Sequence, residues 1–437
     1  MRLQRIGISQ LEGLGGARGV AAHLRSLVPG PGSVEQAVRE IVERVRAEGD
    51  AAVLDYTRRL DTGGADRSEI GQRPLVVAAQ ELDEAIKGLA LDVVAGLQVT
   101  IANVAQVATA GVGDDTAVDL PQGQRVVLRE IPVGSAAIYV PGGRAPYPST
   151  VAMGVVTARA AGVLDVVVCA PPRADGEIDA AILGACRLCG VERVYRMGGA
   201  QAIAALAYGT DAVARVDVVV GPGNLYVQEA KRQLSATVGI DGFAGPSDLL
   251  VVLGGEVGER EIRLAALDML AQAEHGEGSL VAAVSSGPGV NDALAAQLEA
   301  LDAELPAGDG TLALVDAFDA RGAVELANAF APEHLQLIGA DAEALAPRVQ
   351  SAGCVFVGAA SATAFGDYVA GSNHILPTGG AARFSSMLSP RHFRRCMGEV
   401  RIDAAGAGKL ASAGAPIARA EGFEWHARSM EARMGDN

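Results

Sequence analysis

The chain has 437 residues, and its 52 Asp and Glu side chains outnumber 36 Lys and Arg, which gives a formal net charge of −16. This negative charge disfavours nucleic acids and anionic membrane surfaces as partners. Hydrophobic residues make up 49% of the chain, which excludes intrinsic disorder, and a chain of this length is expected to form more than one domain.

The N-terminal residues and the cysteines indicate the compartment. No continuous apolar stretch with a small-residue cleavage site follows the first residues, so no signal peptide is predicted. The most apolar helical stretch, residues 91–108, is interrupted by polar side chains, so no transmembrane helix is predicted. The 5 cysteines are too sparse for a disulfide framework. We therefore expect a cytoplasmic protein.

The first part of the chain is predicted to be mainly helical. Residues 33–60 carry apolar side chains at helical spacing with a break at Gly49, which predicts two amphipathic helices. Residues 74–78 are predicted to form a short strand, and a long helix is expected to follow and to end near residue 108.

Short apolar runs then alternate with helical patterns in two successive units. We predict strands at 136–140, 166–170, 193–197 and 216–220 in the first unit, and at 249–253, 280–284, 311–315, 335–338 and 354–357 in the second. Apolar strands separated by helices indicate parallel sheets that are covered on both faces. We therefore predict an α/β fold with two doubly wound, incomplete Rossmann-like domains and a cleft between them. A helical N-terminal segment and a C-terminal helical tail without a sheet pattern complete this prediction.

Three strands of the first unit end in glycine-rich turns. Their sequences are Tyr139-Val-Pro-Gly-Gly143, Met197-Gly-Gly-Ala-Gln201 and Gly221-Pro-Gly-Asn224. Turns at the carboxyl ends of parallel strands can present free N–H groups to phosphates, so three of them indicate a nucleotide-sized ligand. A tight connection from strand to helix also requires glycine for backbone reasons, and for any single turn this explanation is the better one. No strict G-x-G-x-x-G motif is present.

Four polar segments of the second unit and the tail contain candidate chemical groups. Gln272 and His275 lie on one face of a predicted last helical turn, Glu333 and His334 follow a proline, Asp367 and His374 follow the last strand, and Glu421 and His426 lie in the tail. Taken singly, each has a plain structural explanation: a histidine near a helix C-terminus, a turn aspartate or a solvated helix face. Cys186 and Cys189 have the spacing of one ligand pair of a zinc site. No second pair exists, and the flanking residues predict a buried helix.

The order of these segments resembles the histidinol dehydrogenase family over nearly the whole chain. The matching segments are Gln-Ala-Glu-His, Ala-Pro-Glu-His-Leu, Gly-Asp-Tyr-x-Ala-Gly-x-Asn-His-x-Leu-Pro-Thr and the final Glu-x4-His, behind Tyr-Val-Pro-Gly-Gly and Gly-Gly-Ala-Gln-Ala-Ile-Ala. The resemblance implies oxidation of L-histidinol to L-histidine in two NAD-dependent steps through the aldehyde, as the last reaction of histidine biosynthesis. It also implies a homodimer with one Zn²⁺ per subunit.

The resemblance assigns roles to residues by their place in the motifs. His334 would be the base that removes the hydroxyl proton, and Glu333 the base that activates water for the second oxidation. The implied zinc ligands are Gln272, His275, Asp367 and, from the partner subunit, His426. The implied NAD contacts are Tyr139, Gln201 and Asn224. The implied substrate contacts are Ser247, Gln272, His275, Glu333, His334, Asp367, His374, Glu421 and His426.

The resemblance also predicts a division into domains. We expect an N-terminal segment at 1–32, a domain with the zinc and catalytic residues at 33–137 and 246–385, an NAD-binding domain at 138–245, and a tail at 386–437 that reaches the partner subunit. Two alternatives to this interpretation are less consistent with the sequence. A related dehydrogenase for another alcohol, such as a sulfonated diol, is disfavoured by the presence of Glu421 and His426, and a catalytically silent binding protein by the presence of both catalytic candidates.

Overall fold

Two parallel sheets form the centre of the structure. The computed structural model describes residues 2–7, 13–28, 34–62, 74–142, 145–242, 247–276, 278–306 and 308–434. In these residues the strands are β1 (Arg2–Ile6), β2 (Thr116–Asp119), β3 (Arg125–Pro132), β4 (Ser135–Tyr139), β5 (Asp165–Ala170), β6 (Val194–Arg196), β7 (Val218–Val220), β8 (Gly239–Ile240), β9 (Asp248–Leu253), β10 (Leu280–Ser285), β11 (Thr311–Asp316), β12 (His334–Ile338), β13 (Cys354–Val357) and β14 (Arg394–Arg401). The α-helices are α1 (Ala17–Ser26), α2 (Glu35–Glu48), α3 (Asp50–Tyr56), α4 (Ala79–Gly88), α5 (Leu91–Ala110), α6 (Pro148–Ala160), α7 (Ala180–Leu188), α8 (Gly199–Tyr208), α9 (Leu225–Leu234), α10 (Glu259–Ala273), α11 (Val290–Glu304), α12 (Ala320–Phe330), α13 (Ala340–Glu343), α14 (Thr363–Tyr368), α15 (Ala404–Ala420) and α16 (Glu424–Glu431). A π-helix covers Thr57–Asp61, and 3₁₀ helices cover Ala346–Arg348, Ala381–Arg383 and Pro390–Phe393.

The two parallel sheets share one strand order. The smaller sheet has the order β6-β5-β4-β7-β8, and the larger has the order β1-β11-β10-β9-β12-β13. Counted along the chain from β4 and from β9, both orders are 3-2-1-4-5, and β1 is added at the edge of the larger sheet. This order is typical of doubly wound folds. The predicted α/β class with two parallel sheets is confirmed, and the predicted strands of both units lie within a few residues of the observed ones.

Helices cover both faces of each sheet. Ala136 and Ile138 of β4 pack with α4 to α7, whereas the alternate residues Ala137 and Tyr139 pack with α2, α3, α8 and α9. The strand β9 lies in the same way between a layer with α1 and α12 and a layer with α10 and α11. Since both faces of these strands are buried, their sequences are almost continuously apolar.

The N-terminal region differs from the prediction in where it packs. The segment 1–32 was expected to be helical and separate, but β1 pairs in parallel with β11 and α1 packs on α12, so its described residues belong to the larger sheet. Residues 33–137 were expected to join the domain with the catalytic residues, but α2 to α5 pack on the smaller sheet. Helical periodicity shows that a helix has a buried face, and it does not show which sheet buries that face.

Two further predictions of secondary structure are corrected. Residues 74–78 form a single antiparallel bridge, Val76 to Tyr195, instead of a strand. The tail was expected to lack a sheet, but β14 pairs antiparallel with β3, which also pairs with β2. Most side chains of β14 are exposed and several are charged, so no apolar alternation marks it as a strand in the sequence. The tail ends, as predicted, in helices: α15 and α16 pack on each other through Ala415, Ala418 and Ala427.

The helix α5 is long and apolar enough, by length and composition, to cross a membrane, and it is the one helix in the described residues of which this is true. In the structure it packs along α6 with Leu97 and Val104 buried. Asn103, one of its polar residues, donates a hydrogen bond from Nδ2 to the carbonyl oxygen of Val369 at 2.7 Å. These contacts join α5 to α6 and to the residue that follows α14.

Candidate active site

Polar side chains collect at the amino ends of two adjacent strands of the larger sheet. Ser247 and Asp248 stand at the start of β9, and Glu333 and His334 stand at the start of β12. The two strands are parallel neighbours, with His334 paired to Leu249, so these residues lie side by side. A site was expected at the carboxyl ends of the strands, where Asp367 follows β13. The helix α14 instead brings Asp367 to the amino ends of the strands, where its Oδ1 lies 3.4 Å from Nε2 of His334.

Glu333 is held by hydrogen bonds from the start of β9. The hydroxyl of Ser247 donates to its Oε2 at 2.5 Å, and the backbone N–H of Asp248 donates to the same oxygen at 3.0 Å. Gln272, in the last turn of α10, donates from Nε2 to the hydroxyl oxygen of Ser247. Three predicted site residues, Ser247, Gln272 and Glu333, thus form one hydrogen-bonded chain.

His334 is buried between two carboxylates without a hydrogen bond of its own. Its Nδ1 lies 3.7 Å from Oε2 of Glu333, and its side chain is 3% exposed. Neither ring nitrogen makes a hydrogen bond within the described part of the chain. The ring stacks on Phe356 of β13 with 5.9 Å between centroids. Each ring nitrogen instead faces a carboxylate oxygen, of Glu333 or of Asp367, and these two charges favour the protonated ring.

Burial and charge shift the pKa values of this cluster. Burial raises the pKa of Glu333 to about 7, although the charge of His334 and the hydrogen bond from Ser247 oppose this rise. Burial alone would lower the pKa of His334, but the carboxylates of Glu333 and Asp367 outweigh it and raise that pKa to about 9. Burial opposes ionisation of Asp367 as well, yet the neighbouring His334 holds its pKa below the usual value. The three groups titrate as one coupled set.

Two further histidines lie near Asp367. The Nδ1 of His374 lies 2.8 Å from the backbone carbonyl oxygen of Asp367, and its Nε2 lies 3.0 Å from the hydroxyl of Thr150 in α6. Burial lowers the pKa of His374. His275 is exposed just after α10. Its charge also acts on Asp367 and helps to lower the pKa of that carboxyl.

The donor atoms at these strand ends are of the types that bind zinc. Gln272, His275 and Asp367 offer an amide oxygen, an imidazole nitrogen and a carboxylate oxygen, all of which occur as zinc ligands or in mixed N and O sites. The described residues contain no group of three His, Cys, Asp or Glu side chains that could hold a metal on its own. A closed site would therefore need a donor from elsewhere.

The remaining metal and substrate candidates lie apart from this cluster. Glu421 ends α15 and His426 lies in α16, where both are exposed. Cys186 and Cys189 are buried at the end of α7, as predicted, and burial raises the pKa of both thiols. Their thiols are thus kept protonated, which makes them poor ligands for a metal.

A cavity of about 1030 Å³ lies at the carboxyl ends of the smaller sheet. Its lining includes all three predicted cofactor contacts, Tyr139, Gln201 and Asn224, together with Gly142. Gly143, from the same predicted turn, lies outside the described residues. Asn224 also caps α9, since its Oδ1 accepts hydrogen bonds from the N–H groups of Tyr226 and Val227. The volume is slightly above the range of ordinary ligand pockets, so the cavity has room for a ligand as large as a dinucleotide.

Asp61 is a polar residue of this cavity that the sequence did not single out. Its Oδ2 accepts hydrogen bonds from the backbone N–H of Gly198 at 3.0 Å and from Nε2 of Gln201 at 3.1 Å. Burial raises its pKa to about 7. It ends the π-helix Thr57–Asp61, and such insertions are frequent at functional sites. The sequence carries no signal for this, because the segment has the periodicity of a scaffold helix.

The first turn of α6 connects the cavity with the polar cluster. Pro146, just before α6, lines the cavity, and Thr150 in the helix contacts His374. Asn373 donates from Nδ2 to the carbonyl oxygen of Met153 in the same helix at 3.1 Å. The helix α6 thus joins the wall of the cavity to the segment that carries Asp367 and His374.

Comparison with known proteins assigns a family to this arrangement. Residues 30–434 match the model of the histidinol dehydrogenase family. The chain is 40% identical over 410 residues to histidinol dehydrogenase of Rhizobium meliloti, with 92% of each chain covered. It is 40% identical over 409 residues to the enzyme of Parasynechococcus marenigrum, with 92% of this chain and 91% of the relative covered.

A solved structure agrees with these sequence matches. Histidinol dehydrogenase from Elizabethkingia anophelis has a TM-score of 0.87 to this chain at 27% identity, over 99% of this chain and 98% of that one. Sequence and structure therefore agree over almost the full length, and the chain belongs to the histidinol dehydrogenase family of NAD-dependent oxidoreductases.

Proposed function

We propose that the protein oxidises L-histidinol to L-histidine in two successive NAD-dependent steps through the aldehyde, as the last reaction of histidine biosynthesis. The observation that carries this proposal is the buried pair Glu333 and His334, which α6 and His374 link to a cavity of dinucleotide size. The family membership supports the substrate. A sulfonated diol fits less well, because its sulfonate would meet the carboxylates of Glu333 and Asp367.

His334 is proposed as the base of the first oxidation. Removal of hydride from the alcohol carbon requires that the hydroxyl proton leave, and the neutral ring of His334 offers a nitrogen for that proton. Because Glu333 and Asp367 raise the pKa of His334 to about 9, the neutral ring becomes more abundant, and the first oxidation faster, as the pH rises toward that value. The aldehyde, a proton on His334 and NADH are then the products. Phe356 keeps water from one face of the ring, so that the proton passes between substrate and imidazole.

Glu333 is proposed as the base of the second oxidation. The aldehyde must add water before it can lose a second hydride, and a carboxylate beside the first base can take the proton of that water. Oε2 accepts the hydrogen bonds from Ser247 and Asp248, so Oε1 remains to accept the proton of the water. A pKa of about 7 suits a group that accepts and releases a proton near neutrality.

The cofactors follow from the same residues. We propose that Tyr139, Gln201 and Asn224 contact NAD, which their shared cavity supports. We propose that Gln272, His275 and Asp367 hold one Zn²⁺ per subunit, together with His426 of the partner subunit. When bound, zinc would orient the polar atoms of the substrate and draw the charge of Asp367 away from His334. Ser247 and His374 would contact the substrate beside this set.

We propose a homodimer in which the tail of one chain completes the site of the other. In its own chain, the pair α15 and α16 has a core of three alanines, and it exposes Phe423, Trp425 and His426 to solvent. Apolar side chains of this size are commonly covered by a partner. His426 and Glu421 would then approach the partner's Asp367. The carboxylate of Glu421 would bind the ammonium group of the substrate. A cytoplasmic location agrees with the five free cysteines.

Removal of zinc should abolish turnover, and addition of zinc should restore it. In addition, Asp367→Asn should lose bound metal during gel filtration, because the amide is a weaker ligand than the carboxylate. Cys186→Ala is the matched control and should retain its metal, since the buried thiol is not a ligand. Metal content is measured by atomic emission. Full activity in a sample that is verified to be free of metal would contradict the zinc assignment.

The two bases should separate in single-turnover experiments. Glu333→Gln should retain the first burst of NADH from L-histidinol but slow the oxidation of histidinal by about 10²–10⁴, the usual contribution of a general base. His334→Ala should lose the first burst. The division of roles is wrong if Glu333→Gln loses as much of the first step as His334→Ala does.

Mixing two inactive variants should recover activity if sites are shared. His334→Ala damages the core of a site and His426→Ala damages the tail, so a mixed dimer has one intact site and one doubly damaged site. With random exchange of subunits, about a quarter of the wild-type activity should return. Exchange is verified by pull-down of a tagged subunit. Verified exchange without recovery would show that each tail closes over its own chain.

A further inference from the structure

We propose that Arg25 is a positioning residue for the pair Glu333 and His334, acting from α1 on the turn that precedes them. Arg25 lies in the N-terminal segment, more than 300 residues away in sequence from the carbonyl groups it contacts. The sequence alone assigns no role to this segment. The inference rests on the proposed roles of Glu333 and His334 in turnover.

The turn before the pair contains a strained residue. Ala331 has φ 51° and ψ 66°, the left-handed conformation, and among the described residues it is the only one other than glycine with a positive φ. An L-residue with a Cβ is disfavoured in this conformation. Such a conformation persists where its surroundings hold it, and it is found most often at functional sites. Here it redirects the chain from the end of α12, through Pro332, into the start of β12.

Arg25 contacts the backbone on both sides of this bend. Its Nη2 donates to the carbonyl oxygen of Phe330 at 2.9 Å and to that of Ala331 at 3.3 Å. Its guanidinium carbon lies 3.7 Å from the centroid of the Phe330 ring. A guanidinium at a helix C-terminus satisfies carbonyl groups that lack partners within the helix. One side chain thus fixes the last carbonyl of α12 and the carbonyl of the strained residue.

The same guanidinium also reaches Glu333 through Asp248. Nη1 of Arg25 donates to Oδ2 of Asp248 at 2.6 Å, and the side chain of Asp248 is 1% exposed. Oδ1 of Asp248 accepts a hydrogen bond from the N–H of Glu333 at 2.7 Å, while the N–H of Asp248 donates to Oε2 of Glu333 at 3.0 Å. A buried carboxylate requires partners of this kind. Arg25 therefore holds both the backbone before Glu333 and the residue that orients its carboxylate.

The first variant removes the guanidinium. Arg25→Ala should lower kcat by about ten- to a hundredfold, because a small misplacement of reacting groups has an effect of this size. The KM for NAD should not change, because the proposed cofactor contacts lie on the smaller sheet. Arg5→Ala is the matched control: Arg5 lies in the same N-terminal segment and pairs with Asp292 at 2.5 Å, away from Glu333. It should leave kcat unchanged.

A second variant distinguishes positioning from general loss of stability. Glycine adopts the conformation of Ala331 without strain, so Arg25→Ala combined with Ala331→Gly should recover part of the lost kcat. Arg25→Lys keeps the charge beside Asp248 but lacks the planar fork, and it should give an intermediate loss. Hydrogen exchange of a peptide that spans residues 331–338 provides a readout that does not depend on activity. Exchange at the amide of Glu333 should become faster in Arg25→Ala and not in Arg5→Ala.

Three results would overturn the proposal: unchanged exchange at Glu333 in Arg25→Ala, an unchanged kcat, or an equal loss of kcat in Arg5→Ala. Glu333→Gln and His334→Ala, measured alongside, separate this failure from failure of the proposed function. If those two variants are inactive while Arg25→Ala is fully active, Arg25 has no positioning role. If those two variants are fully active, the proposed roles of the pair are wrong.

Discussion

The two hydrogen bonds between Asp248 and Glu333 join the starts of two neighbouring strands, and the arrangement of the proposed catalytic residues depends on them. They fix the backbone of Glu333 and one oxygen of its carboxylate at the same time. His334, the next residue, is thereby placed between Glu333 and Asp367, where it stays buried with both nitrogens unpaired. Ser247, Gln272 and Arg25 extend the network outward to α10 and α1.

The two sheets share one strand order, but the cavity of the smaller sheet and the polar cluster of the larger sheet lie at opposite ends of the strands. The smaller sheet has its cavity at the carboxyl ends, as is usual where the strand order reverses. At the corresponding place in the larger sheet, a Cβ on Gly339 would lie 2.2 Å from the carbonyl oxygen of Gly254, and one on Gly254 would lie 2.9 Å from Cβ of Ala320. Gly339 also has φ 92°. The smaller sheet has the same close approach, since a Cβ on Gly221 would lie 2.1 Å from the carbonyl oxygen of Tyr139. Backbone packing therefore does not distinguish the two sheets, and the difference lies in the polar side chains at the amino ends of β9 and β12.

Much of this architecture could be predicted from the sequence, and the remainder required long-range packing. Buried parallel strands such as β9 are apolar on both faces, and therefore the two sheets were predictable. The motifs with Glu333, His334 and Asp367 were recognisable because their order is specific. The sheet that buries α2, the pairing of the exposed strand β14, and the contacts of Arg25 and Asp61 depend on residues far away in the chain. No local pattern encodes them.

We propose that one site carries out both oxidations, with His334 and Glu333 as successive bases. The most direct measurement counts NADH and L-histidine formed by the purified, zinc-loaded protein from L-histidinol and excess NAD. If the aldehyde stays beside Glu333 for the addition of water, two NADH form for each histidine and little histidinal is released. One NADH for each histidinol consumed, with histidinal accumulating in solution, would contradict this proposal.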